Sequence, residues 1–318
     1  MATASPIVSP DELEPLIGAR MLITGADGML GRAFREGLQP LGDKVELVAL
    51  PHEELDVTDA EAVLALAGRG FDIIVHCAAM TLADECERDP DRARLVQVVG
   101  TENVARLALA TGARVLYPQS VFIFDGKELP VTEQTAPAPV HVYGRVKLEA
   151  ECLLLAQVPE TLAVRMAGFF GGDGKDKNFV GQFVRQVEAL LAQGGGSIEV
   201  GDRMWQPTYT LDLARNALLL VAAGRHGVFH MGGLGEATFF DVARICVDAL
   251  GLAGEIDLRP CAAEAFARAE LAPRPLRMVT ANHRLDAEGL CRQRCWEDAL
   301  REYLARPYFD AIRRGAAR

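Results

Sequence analysis

Tyr143 and Lys147 stand four residues apart in the run HVYGRVK. On a helix that spacing puts both side chains on one face, where an ammonium close to a phenol lowers its pKa and makes it a proton donor. Ser120 follows an apolar run that ends near Tyr117. A hydroxyl there, at the carboxyl end of a parallel strand, faces the ligand crevice and can hold a substrate carbonyl. Upstream, Gly25, Gly28 and Gly31 have the spacing GxxGxxG after the apolar Met21–Thr24 and before a helical pattern starting near Arg32. In that setting Gly25 permits a tight turn, Gly28 lets the backbone approach a pyrophosphate, and Gly31 lets the helix pack close. The plain alternatives are a tight loop for the glycines and a surface helix whose Lys147 pairs with Glu151 at i,i+4.

The elements that must position these groups alternate. Val45–Leu50, Phe71–Ala79 and Arg114–Pro118 read as strands, with helical patterns over Asp59–Ala67 and Asp91–Thr111 between them. The fold class is therefore α/β, a Rossmann-type doubly wound parallel sheet with a smaller C-terminal substrate-binding domain. Residues 1–18 read as an N-terminal tail and 19–167 as the dinucleotide-binding domain, which also receives 203–235. Residues 168–202 and 236–318 form the second module, with a helix over Asn178–Gln193, proline loops at Pro137, Pro139 and Pro273–Pro275, and a helical alanine-rich tail.

The 318 residues carry 33 basic and 44 acidic side chains, a net charge of −11, which disfavours nucleic acid and anionic membrane as partners. Seven cysteines without a CxxC pair suggest neither a disulfide framework nor a zinc site, and no metal constellation emerges. His76, beside an apolar strand, reads as a core histidine. The start has no apolar export segment, and no run of about 18 apolar residues occurs. A cytoplasmic location is expected.

In ITGADGMLG, LDVTD, CAAMT, VGTEN, VFIFDG, VYGRVKLEAE, KNFV, QPTYTLDLA and GVFHMGG, taken in order over residues 20 to 240, the chain resembles the extended short-chain dehydrogenase/reductases. More narrowly it resembles the dTDP-4-dehydrorhamnose reductase family of sugar-nucleotide enzymes. The resemblance implies that Gly28, Met29 and Leu30 line the cofactor pyrophosphate, with Gly25, Gly31 and Arg32 beside them. It places Asp56 and Val57 near the adenine, Ala78 and Ala79 near the nicotinamide ribose, and Ser120, Tyr143 and Lys147 as the catalytic trio. A hydride delivered to a ketone creates an alkoxide that Tyr143 would protonate, with Lys147 and the oxidised nicotinamide drawing its pKa down and Lys147 also binding ribose hydroxyls. The substrate-side candidates are Thr81, Ser120, Val121, Phe122, Gly168, Phe170, Asn178 and Trp205, with Phe169, Phe179 and Thr208 in the same segments.

Several positions depart from the family pattern. Ser120 and Val121 stand where a Thr-Asp pair is usual, so an acid near the sugar is missing. Gly168 replaces a tryptophan that would contact the sugar, which implies a wider, more apolar pocket. Gln97 replaces an asparagine that helps maintain a proton-relay water through a local backbone distortion. The motif around Arg274 and Pro275 lacks its serine in register.

The second strand runs into Ala49-Leu-Pro-His-Glu-Glu54 without an acid at its tip. NADPH is the expected cofactor, with Arg32 and His52 facing its 2′-phosphate, and NADH remains open through Glu53 or Glu54. The expected partner is a nucleotide-sugar substrate, and helices on such sheets commonly form homodimers. The implied activity is reduction of a nucleotide-linked 4-keto-6-deoxy sugar. The alternatives are an epimerase or dehydratase on the same scaffold, and a non-catalytic NADP-binding subunit resembling the methionine adenosyltransferase β subunit.

Overall fold

The computed structural model describes residues 7–264 and 270–315. Its centre is one parallel sheet built from β1 (Arg20–Thr24), β2 (Glu46–Leu50), β3 (Ile73–His76), β4 (Arg114–Ser120), β5 (Leu162–Met166) and β6 (Gly227–Met231). The spatial order is β2-β1-β3-β4-β5-β6. The chain leaves β1 to one side to form β2 and crosses back to form β3, so the crevice above β1 and β3 is a topological switch point.

Period-two burial explains why these runs are strands with both faces covered. Met21 and Ile23 of β1, with Val75 of β3 and Leu116 of β4, enter one apolar cluster. Leu22, Ile74, Val115 and Tyr117 enter the other. The first cluster is closed by α1 (Met29–Leu38) packed on α8 (Thr210–Ala222). The opposite face is covered by α2 (Ala60–Leu64), α5 (Gly100–Thr111) and α6 (Val142–Gln157). Between β3 and α5 lie α3 (Ala83–Arg88), α4 (Pro90–Arg94) and a single π-helical turn, Leu95–Val99.

A further core lies at the carboxyl edge of the sheet. Val180, Phe183, Val184 and Val187 of α7 (Phe179–Leu191), residues of α9 (Phe239–Leu250) and residues of the helix Trp296–Leu304 are buried together. The parallel strands Gly196–Gly201 and Ile256–Cys261 complete it.

Residues 7–18 correct the reading of residues 1–18 as a tail. Asp11–Leu16 forms a 3-10 helix whose Leu13 and Leu16 are each 1% exposed, in the same cluster as α1 and α8. Glu12 accepts from the backbone of Ser9 and pairs with Arg292 at 3.0 Å. The apolar pair was too short to show a period by itself. Among the described residues no helix is long and apolar enough to cross a membrane.

Candidate active site

Parallel register brings the chemistry-bearing residues to one edge. Thr24 pairs with His76 and Ser120 pairs with Met166, so the glycine turn after β1, Cys77–Ala79 after β3, Ser120 and Gly168 all stand at the strands' carboxyl ends. Gly25 has φ +62°, and a Cβ there would lie 2.7 Å from the Ala78 backbone, so only glycine lets this turn sit on the end of β3. At Gly31 a Cβ would come within 2.5 Å of the Gly25 carbonyl; the close packing is against the turn itself. Gly28 is the extended N-cap of α1 and offers no side chain to its first-turn amides, which leaves them and the positive end of the helix dipole for an anion.

Tyr143 and Lys147 lie on the first turns of α6. His141 starts that helix by accepting the Gly144 amide at its Nδ1, 2.9 Å away. Lys147 is 4% exposed; its Nζ donates to the Pro118 carbonyl at 2.8 Å and lies 3.9 Å from the centre of the Tyr117 ring. Burial pulls its pKa down to about 7, with Glu151 and Cys77 opposing. The Tyr143 phenol is pushed up to about 12 by burial, and the Ser120 hydroxyl acts the other way. This corrects the expectation of a phenol lowered by Lys147: in the protein by itself the donor is a firmly protonated phenol that shares its site with Ser120. The surface pairing of Lys147 with Glu151 is also replaced. Glu151 is 1% exposed and takes Arg165 in a bidentate pair at 2.5 and 3.1 Å.

Gln119 ties β4 to α6. Its Nε2 donates to the Lys147 carbonyl and its Oε1 accepts the Ser120 amide, both at 2.8 Å. Ser120 Oγ in turn accepts the Phe122 amide at 3.1 Å. Gln97 lies inside the π-helical turn and donates to the Met80 carbonyl at 2.8 Å, so the backbone distortion is present at this position with glutamine in it. His76 is 2% exposed and bonded at both ring nitrogens, Nδ1 to Thr24 and Nε2 to Thr101. The Thr101 hydroxyl donates to the Gln97 carbonyl, so it must accept from Nε2–H, and Nδ1 accepts from Thr24. Burial holds His76 neutral, with a pKa down at about 3.

Residues 19–309 match the family model described as RmlD substrate binding domain. The chain belongs to that family. The dTDP-4-dehydrorhamnose reductase of Mycolicibacterium smegmatis (strain ATCC 700084 / mc(2)155) is 35% identical over 91% of this chain and 86% of its own. Methionine adenosyltransferase 2 subunit beta of Xenopus tropicalis is 30% identical over 90% and 87%. The crystal structure of dTDP-4-dehydrorhamnose reductase from Bacillus anthracis str. Ames, in complex with NADP, superimposes with a TM-score of 0.82 at 26% identity, covering 90% of this chain and 98% of that one.

Against the RmlD family pattern, the substrate-side candidates divide. Ser120 belongs to the trio and Phe122 stands beside it, its amide on Ser120 Oγ and its ring edge-on to His141 at 5.5 Å. Thr81 is exposed and receives Lys177 Nζ at 3.4 Å; Asn178 is half-buried and donates to the Phe169 carbonyl at 2.7 Å. Val121 is turned inward, packed with Ile123 and Phe124, and Phe170 is fully buried between Tyr209 and Tyr303. Both are core residues, which corrects their assignment to the substrate. Val57 likewise packs into the sheet cluster, against Gly100, and its carbonyl accepts from Asn103 Nδ2 at 3.0 Å. Asp56 is exposed and caps Thr58 through both its amide and hydroxyl, bonds that hold its carboxyl below the usual range.

Gly168 does not widen the pocket. A Cβ there would lie 2.6 Å from Cε3 of Trp205, so the indole fills the room that the missing side chain leaves. Arg32 and His52 do not converge on one phosphate. Arg32 lines a hollow with Met29, Tyr209 and Arg306, whereas His52 lines a different one with Ala79. Gln119, invisible as a functional residue in the sequence because amides carry no motif, is the positioning residue missed.

Proposed function

We propose that the chain is an NADPH-dependent reductase of a dTDP-linked 4-keto-6-deoxy sugar. The observation that carries this reading is the meeting of Ser120 with a buried, protonated Tyr143 above Lys147, on the sheet edge that also holds the uncapped start of α1. The names of the relatives support the substrate and the cofactor. The turn fits a dinucleotide: Gly25 makes room at Ala78, and the amides of Met29 and Leu30 are free to meet a diphosphate. Bound NADPH supplies the hydride.

The chain's own groups do the rest. Ser120 donates to the ketone oxygen and holds it within reach of Tyr143. A phenol near pKa 12 is in its acid form at neutral pH, and the more basic alkoxide takes its proton. Lys147, held at Pro118 and with its pKa drawn down to about 7, stabilises the phenolate left behind through its ammonium form and would hold the ribose hydroxyls of a bound cofactor. Tyr143→Phe lowers kcat by roughly 10²- to 10⁴-fold in NADPH oxidation with dTDP-4-keto-6-deoxy sugars, with cofactor binding retained. Equal rates for the two proteins would overturn the role of Tyr143. Stoichiometric consumption of NADPH separates a reductase from an epimerase or dehydratase, which returns the electrons within each turnover.

The likeness to methionine adenosyltransferase 2 subunit beta favours a second reading, a binding subunit without turnover. That reading requires NADPH binding with no sugar-dependent oxidation. A homodimer packed through helices covering the sheet and a cytoplasmic location belong to the reductase reading; sedimentation and cell fractionation test them.

A further inference from the structure

Arg306, just beyond the helix Trp296–Leu304, joins distant parts of the chain. Its guanidinium takes Glu36 of α1 in a bidentate pair at 2.9 and 3.1 Å, donates to the Tyr209 hydroxyl at 3.0 Å, and meets the Asp173 carboxylate at 3.1 Å. Arg306, Glu36 and Asp173 are all half-buried, and the forked pair fixes direction as well as charge. Glu36 and Met29 stand two turns apart on the face of α1 that looks toward Arg306. Arg306 therefore grips the helix whose first residue offers its amide to the cofactor.

The loop that carries Asp173 runs from Gly171 to Asn178, between the dinucleotide turn and the substrate side. Gly172 has φ +85°, and a Cβ there would lie 3.2 Å from Met29 Cα, so the loop's backbone rests on the first residue of α1. At its other end Lys177 Nζ reaches the Thr81 hydroxyl at 3.4 Å, and Asp176 accepts the Gly171 and Asn178 amides at 3.0 and 2.9 Å. Among the described residues Asp173 is the one non-glycine with a positive φ, +53°. Such backbone is unfavourable for a residue with a Cβ and persists where the surroundings hold it; here the ion pair with Arg306 does so. A hollow of about 220 Å³ opens between α1, Gly172, Asp173 and Tyr209. The loop thus meets α1 at Met29 and through this clamp, without a continuous packed face.

We propose that Asp173 and Arg306 are positioning residues that couple cofactor binding to nucleotide-sugar binding. A dinucleotide diphosphate fixes the first turn of α1, α1 fixes the loop through Gly172 and the clamp, and the loop presents Lys177 and Asn178 to the sugar nucleotide. The proposal deepens the reductase reading and rests on it. Titration calorimetry of the full chain measures dTDP affinity with and without saturating NADP+, and NADP+ affinity by itself. The wild type binds dTDP roughly fivefold or more tightly once NADP+ is bound. Asp173→Asn keeps the side chain's shape and its tolerance of the left-handed backbone but removes the charge, and Arg306→Gln breaks the contact from the other side. Each brings the ratio to within about twofold of one, leaves NADP+ affinity by itself unchanged, and raises KM for the dTDP-sugar with kcat held. A ratio that survives in either variant overturns the proposal, as does a wild type in which NADP+ leaves dTDP affinity unchanged. A fall in both separate affinities with the ratio intact makes the clamp a purely structural contact and overturns it too. Wild-type protein that binds NADP+ but not dTDP overturns the nucleotide-sugar reading beneath, and the proposal with it.

Discussion

Gly168 and Trp205 are two halves of one surface, separated by 37 positions in the chain and by less than a van der Waals contact for any added Cβ. Gly168 follows Met166, the residue in register with Ser120, so this surface stands within about two residues' rise of the catalytic edge. Gly168→Ala pushes a methyl to 2.6 Å from Cε3 and 3.1 Å from Cζ3 of an indole that is 8% exposed, and a ring wedged among Phe179 and Phe239 has little room to yield. The expected cost is about 1–3 kcal/mol in denaturant unfolding, with a raised KM for the sugar. Trp205→Leu added to Gly168→Ala relieves the clash, so the two changes are non-additive in a double-mutant cycle. Strict additivity would mean that the indole does not fill the Gly168 site. The sequence showed the glycine and its missing side chain; it held no signal that a tryptophan on another element takes the space.

At the scale of elements, the strands were legible because each buries both faces and ends in a turn residue, and the glycine turn because Gly25 needs its positive φ. The same periodicity misled wherever a regular pattern concealed irregular backbone. Asp91–Thr111 reads as one helix, yet the chain passes through α4, a π-helical turn at Leu95–Val99 and then α5, because side-chain spacing barely changes when one hydrogen-bond ring widens. The bond that aligns β4 with α6 was equally hidden: Gln119 reaches the Lys147 carbonyl across 28 positions. Gln119→Leu removes this bond and the one from the Ser120 amide at once, leaving buried backbone groups unpaired. It lowers stability by about 1–3 kcal/mol and lowers kcat roughly tenfold. NADPH affinity, measured by fluorescence titration, stays within about twofold, since the glycine turn is untouched. A fall in affinity with kcat preserved would show that Gln119 supports the cofactor rather than the alignment of Ser120 with Tyr143.

At the scale of the whole molecule, part of the acid sensitivity lies in two buried histidines. His76 joins β3 to β1 and α5 through Thr24 and Thr101, and His230 on β6 bonds Thr280 while lying next to Arg165. They are 2% and 0% exposed, and burial pulls both down to about 3. The unfolded chain takes up these protons near pH 6.5, whereas the folded chain refuses them until about pH 3. Below 6.5 the unfolded state therefore binds more protons, and the stability that is fully present above that pH is lost progressively as pH falls, each histidine contributing up to about 1.4 kcal/mol per pH unit. Urea midpoints measured between about pH 7 and pH 5 should drop accordingly, and His76→Gln and His230→Gln should each flatten the slope while lowering stability at pH 7. The loss would be felt across the molecule, since the sheet cluster that β1 and β3 share extends through α8 to the docked segment containing Leu13 and Leu16. A midpoint that stayed level down to pH 5 in the wild type would mean that these rings take up protons in the folded state, and that the Thr24–His76–Thr101 chain opens to water without unfolding.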